Sequence, residues 1–577
     1  MKRRTFVGGL LGSAAFAIAP RPLLGAVSSS GALAELRRRV GARLIPVNSP
    51  LVAAARSGGV GADALFKALK NPYYMGDEPS LTQTLGWMDA WTSQPSQMVV
   101  AAESASDVAA AIDVARKHKL RLVVKGGGHS YFGNSNAADS LLVWTRRMDS
   151  VELHDSFIPA GSPAGTAGEA AVTIGAGAIW GHVYDAVAVK AGRYVQGGGC
   201  LTVGVAGFTQ GGGFGSWSKQ FGTGASNLLQ AEVVTADGRI RTVNAHRDPD
   251  LFFALRGGGG GTFGVVTRLT ARTHPLPSTL GAVLFSLQAN TETAWRALVE
   301  RIIGFYASDL FNPRWGEQLR FSPGRHLDIT MLCHGLDQAQ IEAVWRPFTD
   351  WARAHPADYS FTSTPAFFVL AVPGRSFWDP TFLRSIPGLV LQDNRPGASS
   401  DNVFWAGNLD ETAQVLHAYQ SAWIPADLLK LERQASLVDG LIAASNQWSV
   451  TLHTNKGLAG GSREALAAAA ETAMNPQVLE AFALLICAAE GPAAWPGIPG
   501  HEPDVAQGRK HAAAVTRAMA PIRSLVPNAG AYMSEADYFQ RDWQHAYWGD
   551  HYPRLRQIKR KYDPGNLFHG HQTVGSI

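Results

Sequence analysis

Two side chains able to form covalent bonds each stand directly after three glycines. They are the imidazole in Gly126-Gly127-Gly128-His129-Ser130 and the thiol in Gly197-Gly198-Gly199-Cys200. Glycine lacks a Cβ, so such backbone turns tightly and lets a flat or phosphorylated ligand come close. Successive N–H groups freed in this way also form an anion-binding nest. Taken singly, the histidine reads as a turn cap and the cysteine as a small buried hydrophobe. Two parallel contexts in one stretch of chain point instead to a ligand that is both held and bonded.

The elements around them are readable. Leu120 to Val124 is an apolar strand that runs straight into the first loop. Before it, Met98 to Val100 predicts a strand, and Ser106-Asp107 opens a helix with Val108, Ala111, Ile112 and Ala115 on one face. Leu141–Trp144 and Ala171–Ile174 read as further strands, and Ile179–Ala191 as a helix. Past the second loop, Ala231–Thr235 and Ile240–Val243 flank Asp237-Gly238 as a hairpin.

A third run, Gly257 to Gly264, contains the spacing G-x-G-x-x-G at Gly259, Gly261 and Gly264. A dinucleotide fingerprint follows a strand and opens a helix, so that the helix N-terminus faces the pyrophosphate. Here a helix from Asp248 to Leu255 precedes and a strand from Gly264 follows. A Rossmann-type NAD enzyme is therefore disfavoured, and the run is assigned to packing and turns.

The chain has 577 residues and 62 glycines, which implies two or more domains rich in structured loops. Its N-terminus carries Lys2, Arg3 and Arg4, then an apolar stretch and Leu24-Gly25-Ala26, the layout of an export signal. With Arg21, these residues account for most of the excess of 51 basic over 46 acidic residues. The remainder is nearly neutral, so no nucleic-acid footprint exists. The apolar stretch is short for a bilayer span, and stable membrane insertion is not expected. Three cysteines are too few for a disulfide framework, and Cys333 and Cys487 either pair or remain thiols. His569 and His571 are too slight a pair for a metal site.

Three motifs carry a family resemblance. Val124 to Ser130 resembles the first flavin motif of the berberine-bridge-enzyme-like oxidases, within the vanillyl-alcohol-oxidase type of FAD proteins. Cys200 to Gly207 resembles their second motif, and Lys561-Tyr562-Asp563-Pro564-Gly565-Asn566-Leu567-Phe568 their C-terminal one. Among them the chain is most similar to microbial members of the isoamyl-alcohol-oxidase kind. The adjacent arginines before Phe6 resemble a twin-arginine signal, which implies export of a folded, cofactor-loaded protein by the twin-arginine machinery to the periplasm or beyond.

The resemblance implies an α+β fold. A PCMH-type two-subdomain FAD-binding domain spans residues 92–275 and receives the C-terminal segment 526–577. A substrate domain, an antiparallel sheet flanked by helices, is inserted at 276–525. Residues 1–26 are the signal and 27–91 an N-terminal extension. It also implies FAD bonded through its 8α carbon to His129 and through C6 to Cys200. Lys125, Gly126, Gly127, Gly128, Ser130, Gly199, Thr202, Gly204, Gly207, Val265 and Asn566 complete the expected cofactor contacts. Val203 takes the place of the family's oxygen gate, where a small residue goes with oxidases and a bulkier one with dehydrogenases.

Some positions depart from the motif. Lys125 stands where arginine is usual, Leu201 follows the cysteine in place of proline, and Phe208 replaces a histidine that contacts the flavin. Tyr532 is the first candidate for the base that takes the substrate proton, provided its pKa is lowered; Glu535 and His453 are the others. The expected activity is hydride transfer from an alcohol, sugar or hydroxylated natural product to flavin N5, with O2 reduced to H2O2. The rival is a dehydrogenase passing electrons to another acceptor.

Overall fold

Ser104 caps the helix Ala105–His118 in a reciprocal box with Asp107, and Lys119 ends it with a left-handed φ of 54°. Its apolar face, Val108, Ala111, Ile112 and Ala115, is fully buried. That face covers a four-stranded sheet in the order Leu44–Pro46, Met98–Ala101, Ser140–Trp144, Arg121–Lys125. The last three strands are parallel, and Leu44–Pro46 pairs antiparallel at the edge. This computed structural model describes residues 30–576, so the export signal expected over residues 1–26 lies outside the described residues.

A second sheet holds the expected hairpin, Leu228–Val234 with Ile240–Asn244, turned at Gly238 with φ 78°. Val265–Pro275 pairs with it on one side and with Glu169–Gly175 on the other, and Val151–Phe157 closes the order. The helix expected over 179–191 is α-helical only from Trp180 to Tyr184 and continues as a π-helix over Asp185–Lys190.

From Thr279 the chain builds a ten-stranded sheet. Its central strands are Trp315–Ser322, Val450–His453, Ala481–Gly491 and Gln414–Pro425. Helices Glu292–Phe305, Leu431–Ser445 and Val505–Leu525 cover one face through Trp295, Leu298, Leu441, Val515 and Met519. The N-terminal segment is woven into both domains. Leu44–Pro46 extends the first sheet, whereas Thr84–Trp87 joins the large sheet in parallel beside Gln414–Pro425. These pairings join residues far apart in sequence, Leu44 with Val100 and Thr84 with Gln414, and local patterning does not encode them. Cys333 and Cys487 are both free, buried thiols.

Candidate functional site

Strand Arg121–Lys125 delivers the first glycine loop against the second. A Cβ on Gly127 would lie 2.7 Å from the Gly204 nitrogen and 3.1 Å from the Thr202 oxygen, so only glycine lets the two backbones meet. Gly128 takes φ 80° and turns the chain into His129. The second loop is fastened by Tyr184, whose hydroxyl donates to the Gly198 oxygen at 2.8 Å, and by Trp405, whose Nε1 donates to the Gly199 oxygen at 2.8 Å.

Thr202 connects the two reactive side chains. Its hydroxyl lies 3.3 Å from His129 Nε2 and 3.6 Å from Cys200 Sγ. Burial lowers the His129 pKa to about 4, with the Lys125 charge adding to the effect, so the imidazole is neutral at physiological pH. Burial also raises the Cys200 thiol, although its hydrogen bond to Thr202 offsets part of the rise. The protonated thiol is thus the resting form, against the thiolate expected of a ring-bonding cysteine.

Other expected cofactor residues sort differently. Val203 is half-buried beside Cys200, its N–H 3.4 Å from the Cys200 oxygen. Gly204 caps the short helix Val205–Gln210, and a Cβ on Gly207 would meet nothing within 4 Å. Ser130 accepts from the Phe132 N–H at 3.3 Å. Val265 is a core side chain in the same apolar cluster as Leu122 and Val234. Asn566 takes φ 50° in a turn whose Asp563 pairs with Lys559 at 2.6 Å, while Lys559 reaches the Thr262 oxygen at 2.7 Å. That pair ties the C-terminal motif to the third glycine run.

Lys125 is a correction. Its side chain is fully buried, and Nζ donates to the backbone oxygens of Met75, Glu78 and Leu81 at 3.4, 2.7 and 2.6 Å. Burial pulls its pKa down to about 7, yet only the ammonium can donate to three carbonyls at once. The charge is spent on the N-terminal segment and does not face a phosphate.

Tyr532 is a second correction. Its hydroxyl accepts from the Gly213 N–H at 3.2 Å, its ring meets Phe214 edge-on at 5.1 Å, and burial pushes its pKa up to about 12. The lowering that a basic tyrosine needs is absent. Glu535 instead meets Lys456 Nζ at 2.5 Å, with both side chains only partly buried. Near them stands Glu317, held at φ 82°, a strained value for a non-glycine residue. Its carboxyl accepts from Ser216 Oγ at 2.5 Å and from Asn455 Nδ2 at 3.3 Å. Burial raises its pKa, and Ser216 and Lys456 counter part of the shift. His453 is held neutral by burial, and its Nδ1 has no hydrogen-bond partner among the described residues.

Tyr131 lies near enough to Cys200 for the thiol's charge to bear on it, and Tyr419 stands against Tyr131. Their rings lie 5.2 Å apart, and burial keeps both hydroxyls protonated. Glu411 is exposed, and its charge bears on Cys200 and Tyr131. Sequence reasoning missed Tyr131, Tyr419, Glu317, Lys456 and Glu411. Only Tyr131, two residues after His129, lay within reach of a motif. His569 and His571 each bond a backbone oxygen, of Asn566 and Tyr538. A separate surface hollow of about 430 Å³, lined by Gln220, Phe221, Arg314 and His334, does not include His129 or Cys200.

Comparison with known proteins places the chain in a family. An FAD binding domain model matches residues 96–244, and a model described as berberine and berberine like matches 531–575. The FAD-linked oxidoreductase easE of Trichophyton verrucosum is 32% identical over 490 residues, covering 83% of this chain and 73% of that protein. The VAO-type flavoprotein MtVAO615 from Myceliophthora thermophila C1 superposes with TM-score 0.75 at 24% identity, covering 96% of both chains. A glucooligosaccharide oxidase from Acremonium strictum, described with 6-S-cysteinyl, 8α-N1-histidyl FAD, matches with TM-score 0.61 at 18% identity over 84% of this chain and 92% of its own. The chain belongs to the berberine-bridge-enzyme-like, VAO-type FAD-linked oxidoreductases. FAD is its cofactor.

Proposed function

We propose that this protein is an exported oxidase holding FAD by two covalent bonds, at His129 and Cys200, and oxidising an alcohol-type C–H while reducing O2 to H2O2. The observation that carries the reading is the convergence of both side chains on the Thr202 hydroxyl, at 3.3 and 3.6 Å. The glycine cradle at Gly127 and Gly204 and the two nucleophile types fit the group, and the glucooligosaccharide oxidase of like fold is described with the same two bonds. FAD bound there supplies the electrophilic ring and the hydride acceptor.

The chain's own share is positioning and proton handling. His129, neutral, has a free ring-nitrogen lone pair for bonding, while Cys200 must first lose its proton. Glu535 takes the proton from the substrate hydroxyl, oriented by the Lys456 ammonium at 2.5 Å. Tyr131 and Tyr419, protonated, donate hydrogen bonds to substrate oxygens. Val203 presents a small side chain beside Cys200, in keeping with access for O2. The substrate class is an alcohol, sugar or hydroxylated natural product, and the export signal supports a periplasmic or secreted location.

Acid precipitation tests the attachment. Yellow colour should stay in the wild-type pellet and appear in the supernatant only for the His129→Ala, Cys200→Ala double variant. Colour in the wild-type supernatant overturns covalent binding.

A further inference from the structure

The buried Lys125 ammonium belongs to a larger construction. Its stem runs under the first glycine loop, since a Cβ on Gly128 would lie 2.9 Å from Lys125 Cε. The Gln83 N–H donates to the Gly128 oxygen at 3.0 Å, and a Cβ on Gly76 would lie 3.8 Å from the Gly127 oxygen. The segment from Pro72 to Gln83 is therefore the floor on which the loop ending in His129 rests.

That floor is anchored to both domains. Asp77 accepts from Arg146 Nε at 2.8 Å and from Arg395 Nη2 at 2.7 Å, one arginine from each domain. Asn71 Nδ2 donates to the buried Asp393 at 2.7 Å, and Asn136 Nδ2 to the Pro79 oxygen at 2.8 Å. Gln83 Nε2 closes the segment on itself through the Pro72 oxygen at 2.7 Å. An ammonium is costly to bury unless its N–H groups are bonded, so Lys125 and its three carbonyls hold only when the segment is docked. Lys125 itself bonds neither of the groups that fasten the Cys200 loop, Tyr184 and Trp405, although Tyr73 of the same segment donates to the Val403 oxygen in Trp405's strand at 2.9 Å.

We propose that Lys125 is a positioning residue for flavin attachment, coupling the docked Pro72–Gln83 segment to the placement of His129. This rests on the bicovalent reading above. Attachment at His129 joins a ring nitrogen to the 8-methyl carbon of FAD. It releases that methyl's C–H proton and the imidazole proton, and leaves two electrons on the flavin for O2 to remove. The Cys200 loop keeps its holds on Tyr184 and Trp405 when Lys125 is lost, so breaking the latch should fall mainly on the His129 bond.

The test compares wild type with Lys125→Met, each purified as full chain. Thermal unfolding is followed, and the flavin load on the His129 and Cys200 peptides is measured by mass spectrometry. In K125M, attachment at His129 should slow by on the order of 100-fold, the cost of misplacing a reacting group by about an ångström, while the Cys200 peptide stays loaded. A His129 peptide loaded as fast as in wild type overturns the proposal. If K125M does not fold, Asp77→Asn is measured the same way: selective loss at His129 supports the latch, and unchanged loading overturns it. Flavin absent from His129 in wild type overturns the bicovalent reading itself.

Discussion

Gly127 and Gly204 stand back to back: a Cβ added to either would lie 2.7 Å from the other's nitrogen. This contact joins the loop that ends in His129 to the segment that follows Cys200, and it lets one threonine hydroxyl reach both reactive atoms. Gly127→Ala must push the loops apart. Overpacking of this kind costs about 1–3 kcal/mol, so a lowered thermal midpoint and a loss of bound flavin absorbance are expected. A variant with full flavin content would show that the contact is dispensable.

The two attachments should respond differently to pH. His129, with a pKa near 4, is already neutral throughout the physiological range, so bonding there should be flat between pH 6 and 9. The Cys200 thiol is raised above its ordinary value, so its thiolate fraction, and bonding at C6, should climb with pH through that range and beyond. Reconstituting single-site variants with FAD across this range measures both slopes.

Glu535→Gln keeps the shape of the side chain but removes the proton acceptor. Losing a general base lowers kcat by about 10²- to 10⁴-fold, with substrate binding little changed. An unchanged kcat would move the base elsewhere.

Glu317 offers a stability test. Its folded-state pKa is raised, so the folded protein disfavours the ionised carboxyl. The carboxyl's contribution is fully present below its unfolded pKa and is lost as pH rises through the folded value. Glu317→Gln should therefore gain in thermal midpoint relative to wild type on going from pH 4 to pH 7. An equal difference at both pH values would refute the assignment.

Oxygen reactivity separates the oxidase from a dehydrogenase. Substrate-reduced enzyme mixed with air in a stopped-flow instrument should reoxidise within seconds, and Val203→Ile should slow it. Reduced enzyme that persists for minutes in air would exclude the oxidase reading.

Local features were legible because their chemistry is local. The capped helix from Ala105, the hairpin turned at Gly238 and the unusual order of helix, glycine run and strand at Gly257 to Gly264 follow from neighbouring residues. His129 and Cys200 were legible for the same reason, each announced by the glycines beside it. Tyr532 was misjudged because a motif gives the position of a hydroxyl but not its burial, and burial sets the pKa.

By itself, the sequence determined where the glycine loops fall and that His129 and Cys200 follow them, since glycine runs and the residue after them need no distant partner. Only the tertiary structure decided where charge lies. Lys125 turned toward carbonyls some 50 positions earlier, and Lys456 met Glu535 across 79 positions. A buried charge takes whichever partner the packed chain brings within hydrogen-bond reach, and that proximity is a property of the fold.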